Sequence, residues 1–143
     1  LAYNAQRFTE NRHLGDDLNG IGGENSDLGD PIFSVADGQV LFAGEAGPGW
    51  GKVLILLHAY EENGPRKFVE SYYGHVETSL VRPKQKVHRG EQIATIGTAD
   101  GRYWAHLHFE MHVGGWEHPV DPAPALHAAL SRRRSLGARR MDP

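Results

Sequence analysis

Residues 106–113 read "HLHFEMHV", with His106, His108, Glu110 and His112 at alternate positions and Leu107, Phe109, Met111 and Val113 between them. Side chains two apart on an extended chain project to the same face. The stretch therefore reads as a β-strand with one apolar, buried face. Its other face carries four titratable groups side by side, and the question is what such a face is for.

The segments around it are also strand-like. "KVLILLHAY" (52–60) is too continuously apolar to alternate, as expected of a central strand covered on both faces. "KFVESYYGHV" (67–76) alternates, and regular pairing would put Val69, Ser71, Tyr73 and His75 on one face. "PIFSVADGQVLFAG" (31–44) reads as two short strands joined in a hairpin at Asp37-Gly38. "RPKQKVHRGEQIATIG" (82–97) reads as a loop, a turn at Arg89-Gly90 and a short strand. Residues 1–30 are polar and glycine-rich, with "NGIGGENSDLGD" (19–30) as a long loop. Near the C-terminus "PALHAALSRRR" (124–134) predicts a short helix, followed by a basic tail. The expected fold is an all-β single domain, with a mainly antiparallel sheet and long loops forming a cleft.

Composition removes several function classes. The chain has 143 residues, enough for one domain with a real core. Its net charge of −3 offers no broad basic surface to nucleic acid. It has no cysteine, which excludes disulfides, thiolate metal sites and a cysteine nucleophile. No apolar run is long enough to span a bilayer. The first residue is Leu1 rather than methionine, so a processed product or a piece of a longer protein is expected.

Two further clusters complement the strand. In "HLGDD" (13–17), His13 and a carboxylate four residues on would lie roughly 13 Å apart on a straight strand. To share an ion the chain must bend, and Gly15 supplies freedom to do so. By composition either Asp16 or Asp17 could be the ligand. In "YYGH" (72–75), Gly74 permits close backbone approach and His75 can project into a cleft. Taken alone, the first cluster reads more readily as a polar loop with solvated carboxylates, and the second as a surface histidine.

Taken together, "HLGDD", "YGH" and "HLHFE" resemble the His-x-Gly-x-Asp, Tyr-Gly-His and His-x-His segments of the lysostaphin-like and LytM-like zinc endopeptidases. Those enzymes cut peptide cross-bridges of bacterial peptidoglycan. "GWGKVLILLH", "VHRGEQIATIG" and "HPVDPAPAL" resemble the connecting text in the same order, over roughly residues 13–126. The resemblance implies His13, Asp17 and His108 as ligands of one Zn2+, with His75 and His106 as an unligated catalytic pair. It selects Asp17 over Asp16 because the family's aspartate is the fourth residue after the histidine. Two histidines, one aspartate and an open position make a catalytic rather than a structural zinc set. The helical HExxH motif is absent, and "HFEMH" is no version of it because its periodicity is that of a strand.

The resemblance divides the chain into an N-terminal extension (1–12), a zinc metalloendopeptidase domain (13–126) and a basic tail (127–143). It implies metal-activated hydrolysis of a peptidoglycan peptide, and export to the bacterial cell envelope. The alternative is a non-enzymatic cell-wall binding or regulatory module on the same fold. Glu110 reads either as a group holding a ligand imidazole through its other nitrogen or as an exposed salt-bridging residue. His112 reads as peripheral, and His58, His88, His118 and His127 as structural or surface residues. The sequence departs from the family in the long 19–30 loop, read as a mobile cleft wall. It departs again at Arg102, Tyr103 and Trp104, where the family has small residues.

Overall fold

The structure, a computed structural model, describes residues 2–61, 63–113 and 119–120. They form one all-β domain in which every strand pairing is antiparallel. The strands are β1 (Ala2–Gln6), β2 (Asp16–Gly20), β3 (Pro31–Phe33), β4 (Gly38–Glu45), β5 (Lys52–Glu61), β6 (Arg66–Ser79), β7 (Lys86–Val87), β8 (Gln92–Ile96), β9 (Leu107–His112) and β10 (Pro119–Val120). Their order is β1-β2-β9-β6-β5-β4-β7, with β10 on β9 and the β3–β8 pair joined through β6. Among the described residues the only helical piece is a three-residue 3-10 turn at Glu10–Arg12, and no helix is long and apolar enough to cross a membrane.

Alternation along β9 sorts its residues as its pattern predicts. Phe109 and Met111 enter the core with Leu54, Leu56, Tyr73, Val76 and Ile93. Tyr73 and Phe109 are register partners, and their rings meet edge to face at 5.3 Å. β5 is central between β4 and β6. Leu54 and Leu56 are buried in the core, while Ile55 and Leu57 on the opposite face are half-covered. The core face of β5 and β6 also holds a polar chain. His58 bonds the Asp37 carbonyl at 2.8 Å and the Ser71 hydroxyl at 2.6 Å. Ser71 in turn bonds the Tyr73 hydroxyl, which accepts the Val35 N–H. His58 is thus a buried structural residue.

Three expectations are corrected. Asp37-Gly38 does not close a hairpin, because β3 pairs with β8 and β4 with β5 and β7. The 19–30 loop starts later than read, because Asn19 and Gly20 belong to β2, which pairs with β1 and continues onto β9. A partner strand with an apolar face orders "DDLNG" despite its weak intrinsic preference. Finally, His75 does not share the face of Tyr73. A register shift on β6 opposite Lys52 to Leu54 marks a bulge. His75 adopts φ +58 there, with its N–H on the Trp50 carbonyl and its own carbonyl accepting the Gly97 N–H. Bulges re-aim side chains, and this one turns His75 away from the core. The expected helix at 124–134 and the basic tail lie outside the described residues.

Candidate metal centre

β9 lies between β2 and β6, and register sets the site. Asp17 is the direct partner of His108 on one side and Gly74 on the other. A Cβ at position 74 would sit 3.3 Å from that of His108 and 3.5 Å from the Trp50 ring, so glycine leaves space for the imidazole. Gly15 is needed for space rather than for bending. Its φ is not positive, and a Cβ would run into the Phe109 carbonyl and the Glu110 side chain. His13 follows the 3-10 turn in extended conformation and swings over the start of β2.

Three donor atoms converge. His13 Nε2 is 3.0 Å from His108 Nδ1 and 3.1 Å from Asp17 Oδ1, and His108 Nδ1 is 2.7 Å from Asp17 Oδ1. Ligands of one tetrahedral zinc, bonded at about 2.0–2.2 Å, lie about 3.3 Å apart, so the trio fits such an ion with small outward shifts. His108 supports the fit electrostatically. Burial works against its charge, but the Asp17 and Glu110 carboxylates outweigh that and push its pKa up to about 9. Asp17 is half-buried, which works against its charge, but His106 and His108 hold its carboxyl well below the usual carboxylate range. The pocket thus favours a cation between these side chains.

Asp16 has a different role. It is 3 % exposed and accepts the Phe8 N–H at 3.0 Å, which ties the turn before His13 to β2.

His75 and His106 face the same pocket, with ring centroids 4.7 Å apart. His75 Nδ1 donates to the Trp50 carbonyl at 3.1 Å, and His106 Nδ1 to the Trp104 carbonyl at 2.7 Å. Each ring therefore presents Nε2 inward, and His106 Nε2 lies 3.5 Å from Asp17 Oδ1. Burial, reinforced by the neighbouring His106, pushes the His75 pKa down to about 4. His106 moves the other way: burial opposes its charge, but Asp17 raises its pKa.

Glu110 is not an exposed residue. Both it and His112 are 0 % exposed, and Glu110 bridges His108 Nε2 at 2.7 Å and His112 Nε2 at 2.6 Å. His112 is therefore part of the interior beside the site, not peripheral to it. His88 is exposed beside Asp37, and His118 and His127 lie outside the described residues.

The five polar side chains line a cavity of about 260 Å³ with Gln6, Trp50 and Tyr103. It opens at His106 and Asp17 into a groove of about 730 Å³ walled by Asn19, Asn25, Leu28, Arg102 and Trp104. The 19–30 loop thus forms a wall, as read, but it is pinned in place. Asp27, 6 % exposed, accepts the Gly20 N–H. Asn25 accepts the Ala105 N–H, and Gly29 and Asp30 bond the backbone of Ile96. Sequence reasoning missed Trp50, whose carbonyl orients His75 and whose ring meets His108 edge-on at 5.2 Å. A tryptophan inside "GPGWG" was the only available signal.

A family model described as peptidase family M23 matches residues 17–122. The chain belongs to family M23. Among the relatives, the murein hydrolase activator NlpD of Escherichia coli is 38 % identical over 87 residues, which is 61 % of this chain and 21 % of that protein. The chain therefore spans about a fifth of that relative's length. The structure of the antimicrobial peptidase lysostaphin from Staphylococcus simulans superposes with a TM-score of 0.68 at 25 % identity, covering 89 % of this chain and 48 % of that one. A zinc containing peptidase from Vibrio cholerae gives 0.56 at 28 % identity, covering 80 % and 29 %. The M23 membership agrees with the lysostaphin-like resemblance of the motifs.

Proposed function

We propose that this M23 domain is a zinc-dependent endopeptidase that hydrolyses peptide cross-links of peptidoglycan in the bacterial cell envelope. The observation that carries the reading is the convergence of His13 Nε2, Asp17 Oδ1 and His108 Nδ1 within 3.1 Å of one another, beside two unligated histidines. The first three would hold one zinc. Zinc in an open site acidifies its water and polarises a carbonyl.

The chain's own residues divide the remaining work. Asp17 supplies negative charge, and Glu110 fixes the His108 tautomer by accepting from Nε2–H. His75, neutral at pH 7, presents a bare Nε2 as proton acceptor for the incoming water. His106, whose protonated form Asp17 favours against its burial, is the donor to the oxygen that gains charge as the peptide carbon becomes tetrahedral. The groove beyond His106 takes one arm of the cross-linked peptide. Export is supported by the murein-related relative.

A second reading is favoured by that same relative, which is named as an activator: a wall-bound module that regulates other enzymes without cutting. The complete set of His13, Asp17, His75, His106 and His108 argues for catalysis. Digestion of purified peptidoglycan by the zinc-loaded protein, with mass spectrometry of released fragments, tests the choice. New peptide termini support the peptidase, and intact sacculi with zinc bound support the regulator.

A further inference from the structure

The site face of β9 continues past the proposed ligands. His108, Glu110 and His112 project from alternate positions of one strand, and each carboxylate oxygen of Glu110 meets a different imidazole: Oε1 at 2.7 Å from His108 Nε2, and Oε2 at 2.6 Å from His112 Nε2. A carboxylate only accepts, so both nitrogens turned towards it carry hydrogen. With an ion bound between Asp17 and His108, whose Nδ1 otherwise faces the Asp17 carboxylate at 2.7 Å, this would leave the Nδ1 lone pair for the ion. His112 does for Glu110 what Glu110 does for His108. It occupies the second oxygen and thereby limits rotation of the carboxylate. The file is closed off by Tyr72, the register partner of Glu110, whose ring packs on His112 at 4.1 Å and whose hydroxyl bonds Glu70.

We infer that His112 is a positioning residue of the metal centre, holding Glu110 so that Glu110 holds His108 in its Nε2–H form. The inference rests on the zinc reading above. A buried carboxylate also needs donors simply to be tolerated, so the test must separate alignment of the site from general stability.

The experiment compares the full chain with His112→Leu, which keeps bulk under Tyr72 but removes the donor, and with His112→Gln, whose amide N–H restores one. Glu110→Gln, which removes the buried charge with its volume kept, serves if the leucine variant does not fold. Zinc affinity is read by chelator competition, and site geometry by the visible spectrum of the cobalt-substituted proteins. The expected result is a 10–100-fold weaker zinc affinity in His112→Leu or Glu110→Gln, with a changed cobalt spectrum. His112→Gln should recover most of the loss. Variants that melt earlier yet bind zinc and give the cobalt spectrum of the wild type would assign His112 a purely structural role and overturn the inference. A wild-type chain that binds no zinc would overturn the zinc reading, and this inference with it.

Discussion

The Nε2 of His13 and the Nδ1 of His108 are 3.0 Å apart although 95 positions separate them in the chain. Nothing local brings them together. β2 must pair with β9 in the register that opposes Asp17 to His108, and the 3-10 turn before β2 must fold His13 back over that pair. The site is therefore a readout of sheet register, and variants that disturb register should disturb metal binding.

Metal content tests the ligand trio. The wild type is expected to hold about one zinc per chain, and His13→Ala, Asp17→Ala and His108→Ala each to lose most of it. Asp16→Ala removes the acceptor of the half-buried Phe8 N–H, so it should lower stability by about 1 kcal/mol while zinc stays bound. Elemental analysis beside thermal melts decides this. Full zinc retention in His108→Ala would refute the assignment.

Gly15 provides a steric test. A methyl group there meets the Phe109 carbonyl and the Glu110 side chain. Gly15→Ala should therefore part β2 from β9, at about 1–3 kcal/mol, and weaken zinc binding in the same protein. A variant with wild-type melting and wild-type zinc affinity would show that the strands have slack at this point.

How much of this was legible beforehand varied with the physics involved. Which residues of β9 share a face followed from alternation, because the two-residue period fixes the phase, but the burial of Glu110 and His112 on the titratable face did not. The side occupied by His75 did not, since a bulge breaks the two-residue period and leaves no compositional mark beyond Gly74. β1 and β2 were invisible because "AYNAQ" and "DDLNG" gain their order from pairing rather than propensity. The Asp37-Gly38 hairpin failed for the opposite reason: a good local turn signal was overruled by the pairing of β3 with β8. The 19–30 loop was read as mobile from its glycines, but its anchors are single polar atoms on Asp27 and Asn25 that composition does not reveal. Shortening it is now expected to cost stability as well as to alter substrate preference.

His58 gives a pH prediction. Burial lowers its pKa below 6.5, against the pull of the Asp37 carbonyl. Above about pH 6.5 neither the folded nor the unfolded state protonates this residue. Below it the unfolded chain binds a proton that the folded chain refuses, so stability falls as pH falls. Melting temperatures from pH 8 to pH 5 should therefore decline more steeply in the wild type than in His58→Asn. Parallel curves would remove His58 as a source of acid sensitivity.

The catalytic pair can be separated from the metal. His75→Ala and His106→Ala are each expected to keep zinc and fold while losing roughly 10²–10⁴ in rate, the range for a positioned acid–base group or one oxyanion donor. Zinc analysis and peptidoglycan digestion on the same preparations check both halves. A variant that loses its zinc moves that histidine into the ligand set, and one with full activity removes it from the mechanism.

The groove wall makes the last prediction. Tyr103 is 48 % and Trp104 61 % exposed, and both line the groove that leaves His106, so neither side chain holds up the core. Tyr103 also packs against His75 at 5.1 Å, which ties it to the catalytic pair. Among the described residues Trp104 has no ring contact of that kind, and its carbonyl serves the site through His106. Trp104→Ala keeps that carbonyl and removes the exposed indole. If the groove holds one arm of the substrate, the loss falls on binding: KM should rise by about tenfold, a typical effect of truncating an aromatic anchor. The kcat should stay within about twofold, and the melting temperature should hardly move because surface changes cost about 0.5 kcal/mol or less. Tyr103→Ala should lower kcat as well, since the ring that packs on His75 is gone. Steady-state kinetics on a defined cross-linked peptide separate the two. A Trp104→Ala enzyme with unchanged KM would mean that the substrate does not use this groove, and a large drop in melting temperature would mean that Trp104 is structural after all.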